Sequence, residues 1–347
     1  MKALENMVEF GHENVVYCYD EETGLKAIIA VHDTTLGPAI GGTRFYNYAT
    51  EEDALYDVLR LSRGMTFKNA AGGLHAGGGK AVIIGDPTKI KTPELLKAYG
   101  RMVNRLGGAY YTAEDMNINE QDVEYINSET EFCVGKKSIS GNPSPYTSLG
   151  VYQGIKAAAK EVFGTEDLKG RTINVVGIGA VGYPLLEMLH KDGAILTVAD
   201  VNQAALDKAN KELGAKVVGI DEIQFMECDI FAPCAMGAII SVENVKDMKC
   251  KIVAGSANNV LVDNAAGDAI DKAGILYIPD YIINAGGVIS CGYEIEPGGW
   301  HKEKTLELVN GIYNTVEMVI DHAKKENVPT YKAADEYAMG IINAAKK

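Results

Sequence analysis

Two rhythms of apolar and polar positions divide the chain. Up to about residue 130, short apolar runs alternate with amphipathic stretches. The runs Leu25 to Val31 (LKAIIAV), Ala81 to Ile84 (AVII) and 109–113 (AYYTA) have the length and β-branched or aromatic content of strands. Thr50, Glu51, Glu52 and Asp53 form an acidic helix start ahead of Ala54, Leu55, Val58, Leu59 and Leu61, and Thr92-Pro93-Glu94 sets a cap and a first-turn proline before another helix. A polar, proline-punctuated stretch, SISGNPSPYTSLG at 138–150, then breaks the pattern and leads into the helical segment VYQGIKAAAKEVFG. From Arg171 the rhythm is regular: TINVVG, a helix near 181–192, AILTVAD, a helix from Gln203 to Leu213, then AKVVG, CDIFAPC, KIVAG and GILYIP. Strands alternating with helices or loops predict a mostly parallel, doubly wound sheet. Leu306, Val309, Ile312, Tyr313, Val316, Val319 and Ile320 fall at helical spacing and are expected to pack on the junction, and a last helix begins near Tyr331.

The fold expected is therefore α/β in two domains: an N-terminal α/β domain over 1–137, joined by a C-terminal helix at 330–347, and a Rossmann-type doubly wound domain over 138–329. At 347 residues with 47% apolar and 23% charged positions, the chain is too long for one ordinary core. A net charge of -14, with no run of Lys/Arg longer than two, argues against a nucleic-acid partner. The start, MKALENMVEFGHEN, lacks a signal-peptide apolar run, and no stretch of ~18 apolar residues occurs, so a cytoplasmic protein away from membranes is expected. Cysteines at 18, 133, 228, 234, 250 and 291 form no C-x-x-C, and the histidines form no H-E-x-x-H, so reduced thiols and no metal are expected.

Candidate chemistry sits in MTFKNAAGGLHAGGGK, from Met65 to Lys80, where Lys68 and Lys80 flank five glycines, and in TAEDMN, which carries Asp115. Two ammonium groups beside a close-approaching main chain can hold a small anion and polarise a carbonyl. Lys80, preceded by three glycines and followed by an apolar strand, is the candidate for proton transfer with water or an imine, because a desolvated lysine beside another cation has a lowered pKa. Lys68 is then a carboxylate anchor, and Asp115 a group that exchanges a proton with an amine. The alternative leaves both lysines at the surface and Asp115 as a cap. A phosphate-binding P-loop is excluded, since the positions that need Gly and Ser/Thr hold Leu74 and Ala81.

A second site is written as Gly177-Ile178-Gly179-Ala180-Val181-Gly182, after a predicted strand and opening a predicted helix, with Asp200 eighteen residues beyond Gly182. That context supplies a tight turn, close approach to a pyrophosphate, a helix N-terminus for the anion and an acid for ribose hydroxyls. A carboxylate at Asp200, with Val201-Asn202 offering no cation, favours NAD over NADP.

The segments HDTTLGPAIGGTR (32–44), LSRGMTFKNAA (61–71), GGGKAVIIGDP (77–87), TAEDMN (112–117), GNPSPYTSLGVYQGIKAAAK (141–160), DIFAPCAMGA (229–238) and PDYIINAGGVI (279–289) together resemble the glutamate/leucine/phenylalanine/valine dehydrogenase family over nearly the whole chain, its leucine-specific branch most closely. The resemblance implies reversible NAD-dependent oxidative deamination of an L-amino acid to the 2-oxo acid and ammonia. It implies that Lys68 binds the α-carboxylate, Lys80 activates water at the imine carbon and Asp115 shuttles the amino proton. Gly41, Gly42, Gly77 and Gly78 would line the pocket of an N-terminal substrate and oligomerisation domain. Thr147 and Asn259 would reach the nicotinamide side, and Asn284 to Gly287 would close a cleft between the domains. Ile40 stands where glutamate-specific members carry a lysine, which implies an apolar substrate side chain, with Ala113, Val288 and Cys291 completing the pocket. Leucine is the expected substrate, and phenylalanine, tryptophan or valine the alternative within the family. A catalytically silent dinucleotide-binding protein is the alternative outside it. The family also implies a homo-oligomer, often an octamer. The chain departs from the leucine-type pattern KNAAAGLNLGGGK at Gly72, His75 and Ala76, has Cys291 where valine is common, and leans toward the aromatic-acid members at MNIN (116–119). These departures bear on the side chain chosen, since a smaller Ala76 leaves room for a ring.

Overall fold

The computed structural model describes residues 3–346. The chain divides into two compact units. The first holds Met1–Asn142, Val288–Thr305 and Ala338–Lys347, and the second holds Pro143–Gly287 and Leu306–Tyr337. The chain thus leaves the first unit after Asn142 rather than 137. Residues 288–305, expected with the dinucleotide domain, belong to the first unit, and of the last helix (Thr330–Ala345) only the part from Ala338 does.

The first unit is built on a five-stranded sheet. Its strands are β1 (Asn14–Asp20), β2 (Leu25–Asp33), β3 (Ala39–Tyr46), β4 (Gly77–Ile84) and β5 (Tyr110–Ala113), ordered β1-β2-β4-β3-β5. β4, β3 and β5 run parallel, and β2 is antiparallel to β4 and to the edge strand β1. The run LKAIIAV is apolar at nearly every position because the sheet is covered on both faces. Leu25, Ala27, Ile29 and Val31 share a core with Leu95, Leu96, Tyr99 and Val103 of helix Pro93–Asn104, while Ile28 and Ala30 pack with Leu55, Val58 and Leu59 of helix Glu51–Ala71. Successive side chains of a strand point to opposite faces, so one strand serves two cores. The long helix starts as its sequence predicts, with a Thr50/Asp53 capping box.

The second unit holds β6 (Thr172–Val176), β7 (Ile195–Ala199), β8 (Lys216–Val217), β9 (Ile230–Pro233), β10 (Ile252–Val253) and β11 (Leu276–Tyr277), ordered β11-β10-β9-β6-β7-β8. Every pairing is parallel. This is the doubly wound order, and it reverses direction between β6 and β9, where such folds bind their ligands. Two local expectations are corrected. The junction segment is helical from Ser144 onward (Ser144–Phe163), since a proline in a first turn lacks only an N–H that the helix would leave unused. The periodic stretch over 306–320 is two helices, Lys302–Asn310 and Ile312–Glu326, with the change of element at Gly311. The second of these packs along the junction helix.

Candidate functional site

The parallel register of β3 and β4 sets Ile40 opposite Gly78 and Arg44 opposite Val82. By strand alternation, Gly42 and Arg44 of β3 therefore share a face with Lys80 and Val82 of β4. On that face the Lys80 ammonium, on a residue only 5% exposed, lies 3.2 Å from Oδ2 of Asp115. Arg44 reaches the same oxygen through Nε at 3.2 Å, and donates from Nη1 to Asp57 at 2.8 Å. Asp57 also accepts from the Tyr48 hydroxyl at 2.6 Å and pairs with Arg60 at 2.8 Å. Burial would raise the Asp115 carboxyl, but the Lys80 and Arg44 charges outweigh it and hold the group below the ordinary carboxylate range. The opposite face is fixed by hydroxyls: Thr43 Oγ1 lies 2.6 Å from both Tyr99 Oη and Thr112 Oγ1.

The four expected wall glycines do a mechanical job. A Cβ on Gly41 would lie 1.8 Å from the Gly79 carbonyl oxygen, on Gly42 2.3 Å from that of Glu114, on Gly77 2.0 Å from that of Asp33, and on Gly78 2.0 Å from the Thr66 nitrogen. The backbone of this segment is packed against the protein's own backbone. At Gly42 the same Cβ would sit 2.9 Å from the Asp115 Cβ, so the missing side chain is what lets Asp115 approach β3. Lys68 is half-buried in the last turn of helix Glu51–Ala71. Next to it, Asn69 is fully buried and donates to the carbonyls of Gly77 (2.6 Å) and Ile40 (3.3 Å), which ties the helix end to both strands.

The four expected side-chain pocket residues come together in this unit. Ile40 and Cys291 form an apolar cluster with Leu74, Ala76 and Val134, and Ala113 and Val288 pack against it. Burial pushes the Cys291 thiol up to about 12, which suits a neutral member of an apolar cluster. The three departures from the leucine-type pattern separate. Ala76 lies in the cluster, Gly72 abuts the Ile289 side chain, and His75 points outward to Glu296 at 3.1 Å with its side chain 84% exposed.

In the second unit, Gly177 follows β6 at φ 89°, a left-handed conformation that glycine adopts without strain, and a Cβ there would lie 2.5 Å from that of Ala235. A Cβ on Gly182, the first residue of helix Gly182–Lys191, would lie 2.0 Å from the Gly177 carbonyl oxygen. Gly179 differs: it is exposed, and nothing lies within 4 Å of its Cβ position. Ala180 is also exposed, Val181 caps the helix without a side-chain hydrogen bond, and its carbonyl accepts from Ser148 Oγ at 2.7 Å. Asp200, just beyond β7, accepts from the Ile178 and Asn202 backbone N–H groups at 2.7 and 2.8 Å, so the acid is tied to the glycine turn. Beside it opens a cavity of about 550 Å³, lined among others by Val176, Ile220, Phe225, Phe231 and Met236. An open backbone cradle, a helix start, a fixed acid and an apolar cavity fit a dinucleotide's pyrophosphate, ribose and adenine.

Thr147 lies beside Gly287, whose Cβ would be 2.6 Å from its Oγ1. Asn284 is buried and bonds through Nδ2 to the Ser256 carbonyl (3.0 Å) and Asn258 Oδ1 (2.8 Å). Asn259 is exposed in a left-handed turn, and its carbonyl accepts from Ala238 N at 2.6 Å. Arg44, Asp57, Asn69 and Asn258 carry no role in the sequence reading. Strand alternation from Gly42 was the signal for Arg44, but β3 holds two glycines and does not read as a strand.

Comparison with known proteins places two stretches of the chain in one family. Residues 12–132 match the family described as Glu/Leu/Phe/Val dehydrogenase, dimerisation domain, and residues 201–347 match Glutamate/Leucine/Phenylalanine/Valine dehydrogenase. Leucine dehydrogenase of Bacillus subtilis (strain 168) is 49% identical over 350 residues, covering 100% of this chain and 96% of that protein. Phenylalanine dehydrogenase of Thermoactinomyces intermedius is 42% identical, over 97% of this chain and 93% of that one. The crystal structure of L-tryptophan dehydrogenase from Nostoc punctiforme superposes with a TM-score of 0.89 at 43% identity, over 100% of both chains. With such identity sustained from end to end, the chain belongs to the glutamate/leucine/phenylalanine/valine dehydrogenase family, oxidoreductases acting on the CH–NH2 group of amino acids.

Proposed function

We propose that this protein oxidises an apolar L-amino acid, L-leucine foremost, to its 2-oxo acid and ammonia with NAD, and also runs the reverse reaction. The observation that carries the reading is the Lys80–Asp115 ion pair in the same unit as the Ile40, Ala113, Val288 and Cys291 cluster, a charged reaction centre with an uncharged side-chain wall. Lys68 takes the α-carboxylate. Asp115 accepts a proton from the α-amino group, freeing the nitrogen lone pair. Gly177 to Gly182 and Asp200 would hold NAD, with Thr147, Asn259 and Asn284 toward its nicotinamide end, and the cofactor so held would accept the hydride from the substrate's α-carbon. Lys80 takes a proton from the water as its oxygen bonds to the imine carbon, Asp115 returns its proton to the nitrogen, and the C–N bond then breaks with the remaining hydroxyl proton leaving on the ammonia, which gives the 2-oxo acid and ammonium. Gly41, Gly42, Gly77 and Gly78 hold the walls in place.

Ile40 offers a substrate carboxylate no partner, so glutamate is excluded. One methylene is worth about 1–3 kcal/mol in an apolar pocket, so isoleucine, valine and methionine are also accepted. Ala76 in the wall supports a second reading, an aromatic side chain. Rates of NADH formation across a panel of L-amino acids decide: leucine fastest supports the first reading, phenylalanine or tryptophan fastest the second, and no NADH from any apolar amino acid ends both. We also infer a cytoplasmic homo-oligomer, octameric by its resemblance. Supporting this are the match to a dimerisation domain, the exposed Tyr17 and Tyr19 on the edge strand β1, and the fact that no helix among the described residues is long and apolar enough to cross a membrane.

A further inference from the structure

We propose that Arg44 is a positioning residue for the reaction: anchored by Asp57 on one side, it holds the Asp115 carboxylate against Lys80 while Lys80 gains and loses its proton. The inference rests on the proposed roles of Lys80 and Asp115.

The geometry is that of a bridge. Arg44 is 17% exposed and spans two carboxylates, Nε to Asp115 and Nη1 to Asp57. Its far end is fixed, because Asp57 is gripped at the same time by Arg60 and by the Tyr48 hydroxyl. Its near end meets Asp115 on Oδ2, the oxygen that Lys80 also uses, and the Met116 backbone N–H adds a further bond to the carboxylate. Arg60 and Tyr48 are the groups that face Asp57 from the long helix and from the chain after β3, and Lys80 and Arg44 are those that face Asp115. Glu114 and Glu120 add negative charge nearby: burial, Glu120 and Asp115 together raise the Glu114 carboxyl.

The chemistry needs such a bridge. When Lys80 passes its proton on, Asp115 loses one of its two cationic partners at the step where it must stay a defined acceptor. A guanidinium stays protonated at every working pH, so Arg44 keeps one charge-assisted bond on the carboxylate through the whole cycle. A lysine at this place would keep the charge but could not fork between two carboxylates.

Arg44→Gln and Arg44→Lys separate charge from packing. For Arg44→Gln, kcat for oxidative deamination should fall on the order of tenfold. The acid limb of its kcat/KM profile should move up by about one pH unit, because losing the Arg44 cation removes one of the charges that hold the Asp115 carboxyl low. Binding of NAD, read by fluorescence, should not change. Arg44→Lys should keep the limb near its wild-type position while losing part of kcat. Should Arg44→Gln fail to accumulate folded, Arg44→Gln/Asp57→Asn removes the buried charge left behind, and the same limb is read there. An unmoved limb, or Lys and Gln variants that behave alike, overturns the assignment. Wild-type protein that makes no NADH from apolar amino acids instead overturns the function on which it rests.

Discussion

The two glycine-rich segments look alike in sequence and differ in physical cause. In the lysine segment and the facing strand, a side chain on Gly41, Gly42, Gly77 or Gly78 would strike the protein's own main chain within 2.3 Å. At Gly179, in the second unit, nothing stands within 4 Å. The first set of glycines is demanded by folding: helix Glu51–Ala71 and three strands are pressed together so that Lys80, Arg44 and Asp115 meet. The central glycine of the second set is not demanded by any contact within the fold, and what remains to need it is a ligand that approaches the backbone.

The sharpest break of this comparison is at the chemistry the first set serves. Lys80→Ala should lower kcat roughly 10²–10⁴-fold with NAD binding kept, as expected for loss of a general base. Turnover near that of wild type would return Lys80 to the role of a buried structural charge. Next comes the glycine contrast itself. Gly78→Ala pushes a methyl group into the Thr66 backbone and should cost about 1–3 kcal/mol or more, seen as a lower midpoint in thermal or urea unfolding. Gly179→Ala should leave that midpoint within about 0.5 kcal/mol of wild type and raise the KM for NAD several-fold. Equal destabilisation by both changes would erase the distinction. The smallest effect is expected at Asp200→Asn. Asparagine retains an acceptor for the Ile178 and Asn202 N–H groups but not the charge, so discrimination against NADP should relax with little loss of turnover. Unchanged preference would leave Asp200 as a holder of the turn alone.

Legibility in the sequence followed the same divide. The doubly wound sheet could be read because each strand is a short apolar run beside a strong turn or cap, and the glycine turn after β6 because its residues act locally, within one strand–turn–helix. The first unit yielded less. LKAIIAV and AVII read as strands; β1 has a strand's Val and Tyr content yet was not read, and β3, with Gly41 and Gly42 at its centre, lacks a strand's composition. With β3 unread, Arg44 had no face, and its bridge from Asp57 to Asp115 spans residues far apart in the chain. Asn69 lies within the LSRGMTFKNAA segment, yet its task, bonding two carbonyls of different strands, exists only once the helix end is folded onto them. Ile40, Ala113, Val288 and Cys291, proposed as the side-chain pocket, came from family resemblance, and Leu74 and Val134 of the same apolar cluster emerged only from packing.

The most direct test of the central claim is the initial rate of NADH formation from NAD with L-leucine and with L-glutamate, run side by side for the wild-type protein and Lys80→Ala. Rapid turnover of leucine, little or none of glutamate, and near-complete loss of both in the variant is the result predicted. Glutamate turned over as well as leucine would contradict the apolar wall around Ile40, and a variant as active as wild type would contradict the Lys80–Asp115 centre.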